Sequence, residues 1–346
     1  MTMADGTQKI LVVRNDKLGD FMLGWPALAT LKQALPDASI HALVSGYTAE
    51  IAAICPSIDR VVTDPGSGAG IAAQLRLIRA LRDEHYAAAI TLFSTSRIGA
   101  ALALSRIPCR VAPATKIARI FYNKRLTQRR SLSARPEYVY NRDLVLHYLR
   151  GIGHEPITLP VPPYLAFAPE VLSRTRLQFC AAHNIDEHAR LVFVHPGSGG
   201  SANNLGLEQY VELVRSLRSA RGHCSVISAG PGEIDSARRV SSLLDGVAHI
   251  VYHSTQGLVR FSQHIALADL FISGSTGPLH IAGALDRPTA AFYTRRQSAT
   301  ALRWQTINRD ANRLAFSPPD AAPAEDMTAI DVVTAAAAIS SRFLMT

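Results

Sequence analysis

The sequence predicts an α/β protein built from two doubly wound domains that face each other across a cleft. Three observations lead there. Apolar, β-branched runs alternate with helical patterns along both halves of the chain. Such alternation produces parallel sheets with helices on both faces. Between the halves lies ITLPVPPYLAF, residues 157–167, whose three prolines favour an extended connector. Finally, 346 residues are enough for two domains of ordinary size. The boundary falls in the connector, which sets the domains at 1–160 and 161–346.

In the first half, Ile10–Val13 reads as a buried strand. Pro26–Leu35 reads as a helix with its proline in the first turn, where a missing N–H costs little. Ser39–Val44 is extended, Thr48–Ile54 a short helix, and Val61–Thr63 a strand edge. Ile71–Leu81 is amphipathic, with basic residues on its outer face. Ala87–Phe93 and Arg110–Ala112 are strands on either side of the small-residue helix Arg97–Leu104. Tyr138–Leu149 is a helix that ends at Gly151. In the second half, Leu191–Val194, Ser225–Ser228, His249–Tyr252, Leu270–Ile272 and Thr289–Phe292 are strands with helical patterns between them. Ile330–Leu344 is a terminal helix.

A hydrophobic fraction of 48% and a charged fraction of 18% describe a globular chain. No apolar run reaches the length that spans a membrane. The opening MTMADGTQKI lacks a basic-then-apolar signal pattern and reads as a short lead-in to a cytoplasmic protein. Cys55, Cys109, Cys180 and Cys224 are far apart and follow no metal spacing, so free thiols in a reducing compartment are expected. The net charge is +9. From His85 to Pro136 there is no Asp or Glu, while Arg97, Arg106, Arg110, Lys116, Arg119, Lys124, Arg125, Arg129, Arg130 and Arg135 all lie there. Set against the total of +9, these ten leave the rest of the chain at −1. A local excess of this kind points to an anionic partner, a membrane surface or a solvated face. The stretch has no recognised nucleic-acid motif, so no nucleic-acid partner is expected.

In doubly wound sheets, ligands bind at the carboxyl ends of strands. Four loops there carry chemistry. RNDKLGD, residues 14–20, places Asp20 just before a helix, as a cap or as a proton acceptor. It lacks the glycine pattern of a dinucleotide site. HPGSGGS, residues 195–201, offers Ser198, Gly199, Gly200 and Ser201 for close backbone approach to a phosphate, or simply as a turn. AGPGEIDSA, residues 229–237, holds Glu233 and Asp235, either ribose acceptors or solvated acids in a first helical turn. ISGSTGPLHIAGAL, residues 272–285, runs from a strand through Ser275, Thr276, Gly277 and Pro278 into a helix. Ser275 or Thr276 can cap it, and its free N–H groups suit a pyrophosphate.

Taken together and in order, these segments resemble glycosyltransferase family 9, the heptosyltransferases. The carriers are ILVVRNDKLGDFMLGWPALATLKQALPDASIHALV, HPGSGGSANN and DLFISGSTGPLHIAGALDRPTAAFY, with RIFYNKR and YVYNRDLVLHYLRGIG. The resemblance covers nearly the whole chain. It implies the GT-B fold: an acceptor-binding Rossmann-like domain, then a nucleotide-sugar-binding Rossmann-like domain with a C-terminal helix. It implies inverting transfer without a catalytic metal or other cofactor. The donor would be a nucleotide sugar such as ADP-heptose, and the acceptor the anionic, lipid-linked inner core of lipopolysaccharide. The resemblance makes Asp20 the general base. It assigns Ser198, Gly199, Gly200, Ser201, Glu233, Ser275, Thr276, Gly277, Pro278 and His280 to the donor. Arg119, Asn123, Lys124, Arg125, Arg129 and Arg130 would then bind the acceptor's carboxylates and phosphates or the anionic leaflet. The expected location is cytoplasmic, peripheral to the inner face of the inner membrane.

Two positions depart from the family pattern. Ser275 stands where the family has an Asp that contacts the donor sugar. Asn203 stands where it has a Lys thought to offset diphosphate charge. Arg295 and Arg296, after the strand TAAFY, could replace that cation. These departures keep a second reading open, a weak or inactive member that binds nucleotide sugars or glycans.

Overall fold

The structure is a computed structural model that describes residues 8–114, 117–200 and 203–345. The N-terminal lead-in over residues 1–7, Lys116 of the basic stretch and Ser201 of the glycine loop lie outside the described residues. The chain divides into two compact units. Unit 1 comprises Met1–Arg130 and Arg135–Tyr164, and unit 2 comprises Ser131–Ala134 and Leu165–Thr346.

Unit 1 is built on six parallel strands: β1 (Lys9–Val13), β2 (Ser39–Ser45), β3 (Arg60–Asp64), β4 (Ala88–Thr91), β5 (Cys109–Pro113) and β6 (Lys124–Leu126). Their order is β3-β2-β1-β4-β5-β6. Around them run α1 (Leu18–Met22), α2 (Trp25–Ala34), α3 (Ala49–Ala52), α4 (Ile71–Asp83), α5 (Ser96–Leu104) and α6 (Glu137–Gly151). Central β4 is buried along its whole length, as expected for a parallel strand covered on both faces. Leu11, Val13, Leu43, Ala89, Ile98 and Leu102 form one side of the core.

Unit 2 repeats the plan with β7 (Leu191–His195), β8 (Cys224–Ala229), β9 (His249–His253), β10 (Leu270–Gly274), β11 (Thr289–Phe292) and β12 (Arg313–Phe316), again all parallel. The order is β12-β11-β10-β7-β8-β9. Its helices are α7 (Pro169–His183), α8 (Leu207–Ser216), α9 (Ile234–Ser241), α10 (Gly257–Ile265), α11 (Gly277–Ala284), α12 (Ala301–Trp304) and α13 (Val332–Ile339). Numbered within its own unit, each sheet reads 3-2-1-4-5-6. The direction of winding therefore reverses between β1 and β4, and again between β7 and β10. A crevice at such a reversal is where a doubly wound sheet binds its ligand.

Several elements differ from the sequence expectation. Edge strands β6 and β12 were not anticipated, because short basic segments such as KRL carry no apolar run. Helix α7 was missed because its buried positions are few: Thr175, Phe179 and Cys180. The strand expected over Ala87–Phe93 stops at Thr91, and the terminal helix ends its regular part at Ile339 before a wider turn at Ser340–Leu344. Asp20 is not ahead of a helix but inside one, the short α1. The residue at its N-cap is Lys17, which makes no side-chain cap. The four cysteines are free thiols. Among the described residues, no helix is long and apolar enough to cross a membrane.

Candidate active site

The reversal point of unit 1 carries a buried ionic network. Arg14 follows β1 directly, and its side chain is only 3% exposed. Its Nε donates to Asp16 Oδ1 at 2.9 Å and its Nη2 to Asp20 Oδ1 at 2.5 Å. Its Nη1 donates to Glu137 Oε1 at 3.3 Å and to Asn141 Oδ1 at 3.2 Å. The guanidinium also lies 5.7 Å from the Phe93 ring centre. Glu137 and Asn141 are one turn apart on α6 and so share a face. Burial opposes the charge on Arg14, but the carboxylates of Asp16, Asp20 and Glu137 outweigh it and push its pKa up. Burial raises the Asp16 carboxyl to about 6 against the pull of Arg14, with Asp20 adding to the rise. Asp20 does not cap α1. It is anchored by Arg14 through Oδ1, makes no other hydrogen bond among the described residues, and remains 18% exposed.

The basic residues divide into engaged and exposed groups. Arg130 is drawn inward: its Nη1 donates to Glu137 Oε1 at 2.7 Å and to the Leu92 carbonyl at 3.1 Å, and its Nε to Gln128 at 2.9 Å. It belongs to the network around Asp20, not to an outer face. Arg97 pairs with Asp64, which also takes Asn15 Nδ2 at 2.6 Å, and Arg135 pairs with Asp143. Asn123 is engaged on the backbone, accepting from Arg110 N at 2.8 Å and donating to the Pro108 carbonyl at 2.6 Å. Both ends of its amide hold the start of β5, which gives this exposed side chain a structural role. Arg119, Lys124, Arg125 and Arg129 are exposed, and none forms an ion pair among the described residues. With exposed Arg106, and Arg110 bonded only to backbone carbonyls, these four carry the local excess of positive charge among the described residues.

At the reversal point of unit 2, three loops close on one another. The loop after β7 passes through Gly199 and Gly200, which have φ of +52° and +70°, a left-handed backbone that suits glycine. Asn204 ties this loop down by donating to the Pro196 carbonyl at 2.9 Å, while accepting from Tyr210 Oη at 2.6 Å. Gly274 at the end of β10 leaves room for it, since a Cβ there would sit 2.5 Å from Asn204 Oδ1. Ser273 Oγ donates to the His195 carbonyl at 3.0 Å and so links β10 to β7.

Glu233, expected as a ribose acceptor or a solvated acid, keeps 17% of its side chain exposed and is held by the loop around it. Its carboxylate accepts from Gly199 N at 2.7 Å and Gly230 N at 3.0 Å and lies 3.4 Å from His195 Nε2. The contact with His195, assisted by those two N–H groups, lowers the Glu233 carboxyl to about 2. A Cβ on Gly197 would run into this carboxylate. Glu233 is therefore the clasp that shapes the glycine loop. Asp235 is 96% exposed and is the solvated first-turn acid.

Helix α11 begins at Gly277 with Pro278 in its first turn. Thr276 holds the N-cap position but does not cap. Its hydroxyl bonds to Ser273 Oγ at 3.0 Å instead, which leaves the first N–H groups of α11 without a side-chain partner. Ser275 is half-buried beside them. His280, one turn on, is buried, and burial lowers its pKa to about 4, so it is neutral near pH 7. Its Nδ1 has no hydrogen-bond partner among the described residues. A neutral imidazole and the uncapped N–H groups of Gly277 and Leu279 at the end of a strand suit an anionic oxygen, Pro278 having no N–H and His280 N donating to the Thr276 carbonyl. Arg295 does not supply the extra cation considered for this site. Its Nη2 donates to the Pro319, Asp320 and Ala322 carbonyls and pins their loop, while Arg296 lies 3.5 Å from Glu325.

Sequence reasoning missed Arg14, Asp16, Glu137 and Asn141 in unit 1, and His195 and Asn204 in unit 2. Polar residues directly after a predicted strand, at 14 and 195, were the available signal. The pair on α6 had none, because only folding brings it to β1.

The chain matches the model of glycosyltransferase family 9 (heptosyltransferase) over residues 74–320. It is similar to a Haemophilus influenzae protein named "Putative glycosyltransferase", 42% identical over 312 residues that cover 90% of each chain. It is 24% identical to lipopolysaccharide heptosyltransferase 2 of Salmonella typhimurium, over 82% of each chain. Its fold is similar to that of E. coli ADP-heptose lps heptosyltransferase II, with a TM-score of 0.78 and 16% identity, covering 97% of this chain and 99% of that one.

Proposed function

From the premise that this chain belongs to glycosyltransferase family 9, and is a glycosyltransferase of GT-B fold, we propose that it moves a heptose from ADP-heptose to an anionic glycan with inversion. The acceptor in this reading is a lipopolysaccharide inner core, met by a protein held peripherally at the inner face of the inner membrane. The observation that carries the reading is the Asp20 carboxylate, oriented by buried Arg14 at the carboxyl end of β1.

In the proposed reaction, an acceptor hydroxyl attacks the anomeric carbon from the face opposite the nucleotide. The new bond joins the acceptor oxygen to that carbon, and the bond to the diphosphate oxygen breaks. Asp20 takes the hydroxyl proton, with Arg14 holding Oδ1 so that Oδ2 is presented. The departing diphosphate gains charge, which the uncapped N–H groups of α11 and the glycine loop after β7 would stabilise. Ser275, Thr276, Gly277, Pro278 and His280 would line this end, with Ser198, Gly200 and Ser201 of the glycine loop offered to the donor and the Gly199 N–H held by Glu233. Glu233 acts by shaping that loop. No metal is used in this scheme, since N–H groups take the role of a divalent cation.

The test is transfer. The protein is offered a panel of nucleotide sugars and heptose-deficient lipopolysaccharide, and the product is read by mass spectrometry. Addition of one heptose by the parent, abolished in Asp20→Asn, is expected. A parent that binds a nucleotide sugar but transfers nothing would replace this reading with a binding role.

A further inference from the structure

The basic stretch contains an apolar feature that the transfer reaction does not use. Residues Ile117–Phe121 form a single turn of 3₁₀ helix, in which side chains three apart lie over one another. Ala118 is buried and Phe121 packs on the core beside α5, so one side of the turn faces inward. The other side carries Ile117 and Ile120, which are 79% and 68% exposed. A lone exposed isoleucine is ordinary, but two stacked on one outward face are not explained by packing. Exposed cations stand nearby in the chain: Arg119 on the same turn, then Lys124 and Arg125 on edge strand β6 and Arg129 beyond it.

We propose that this turn is a membrane wedge: Ile117 and Ile120 insert among the acyl chains of an anionic bilayer while Arg119, Lys124, Arg125 and Arg129 bind its headgroup phosphates. The argument is charge complementarity combined with apolar exposure. Cations alone would suit any polyanion, whereas paired exposed apolar side chains within an acid-free basic stretch match the layered chemistry of a lipid surface. Four basic residues and two isoleucines make two weak signals that act together, as reversible peripheral binding requires. This deepens the peripheral contact proposed above and rests on that reading for where the protein works, not for how it binds.

The test is co-sedimentation of the full chain with phosphatidylcholine vesicles, with and without phosphatidylglycerol. The parent should bind the anionic vesicles and leave the neutral ones. Ile117→Ser with Ile120→Ser should weaken that binding by about tenfold or more, since the apolar insertion is lost. Both side chains are exposed, so the variant should melt with the parent. Lys124→Gln with Arg125→Gln should weaken it by roughly fivefold per cation at low salt, and less at high salt. Equal partitioning of the isoleucine variant and the parent would overturn the proposal. So would parent binding to neither vesicle, or self-association of the parent without lipid that the isoleucine variant abolishes, which would assign the face to a second copy. Transfer onto a lipid-free oligosaccharide separates the two readings. A parent that binds vesicles but transfers no sugar sinks the transfer reading and leaves the wedge standing.

Discussion

The two units share one topology but solve the chemistry at its reversal point in opposite ways. Unit 1 fills the space between β1 and β4 with charge, where Arg14 and Arg130 are held among Asp16, Asp20 and Glu137. Unit 2 fills the space between β7 and β10 with glycines, hydroxyls and a buried neutral imidazole, and keeps one carboxylate as a clasp. The difference fits two tasks. Moving a proton needs a fixed carboxylate, and receiving a diphosphate needs uncommitted N–H groups without negative charge aimed at it. One fold can host both because strands set only positions, and loops set chemistry.

The largest expected effect tests whether unit 1 depends on its network as a whole. Arg14→Ala leaves Asp16 and Asp20 without their cation and Glu137 with Arg130 alone, and breaking a buried ion pair costs up to about 3–5 kcal/mol. Chemical denaturation should register that loss, and a variant as stable as the parent would show that the network is ornamental. Asp20→Asn should be milder for the fold, because the amide oxygen still accepts from Arg14. Turnover should nevertheless drop about 100-fold or more, with donor binding by unit 2 unchanged in calorimetry. Turnover within a few-fold of the parent would remove Asp20 from the proton-accepting role.

Acid should split the units. His280 and His264 have pKa values lowered to about 4 by burial, so between pH 6.5 and 4 only their unfolded forms take up protons. Stability drawn from unit 2 must then fall as pH falls, on the order of 3 kcal/mol for His280 if its shift is fully expressed. Asp16 has the opposite sign. With its pKa raised to about 6, the folded form takes up the proton first, and unit 1 gains as pH falls through that value. Peptide-resolved hydrogen exchange, corrected for intrinsic pH dependence, should show unit 2 losing more protection between pH 7 and 5 than unit 1, where the loss from His41, lowered by burial, is offset by the gain at Asp16. Parallel loss in both units would contradict this assignment.

Gly197→Ala is a smaller perturbation. The new Cβ displaces the Glu233 carboxylate from Gly199, Gly230 and His195, at a cost of about 1–3 kcal/mol for the hydrogen bonds broken. Donor affinity should weaken with it, and an unchanged melting curve would show that Glu233 relaxes freely. The smallest effect belongs to Arg129→Ala. An exposed cation contributes at most about 1 kcal/mol, so acceptor affinity should fall only a few-fold, and less at high salt. Donor affinity should not move.

Much of this was written in the local sequence. Alternating runs disclosed most of the strands, because a buried parallel strand must be apolar throughout. Loop chemistry disclosed Asp20, the glycine loop and the start of α11, because proline and glycine act on the residues beside them. Short edge strands β6 and β12 escaped because an edge needs no apolar run. Arg130 and Asn123 were legible as polar residues in a basic stretch, but not as residues already engaged: Arg130 with Glu137 and Asn123 with the backbone before and at the start of β5.

By itself the sequence determined the class of fold, the connector, the loops that carry chemistry and the family pattern, since each follows from periodicity or from neighbours in the chain. Tertiary structure alone decided the strand order and therefore where the winding reverses. It decided that Glu137 and Asn141, more than a hundred residues from Arg14, complete the setting of Asp20, and that Glu233 clasps a glycine loop. Those facts are pairings between residues distant in sequence. Periodicity records only which way a side chain faces, whereas packing and charge neutralisation choose what it meets.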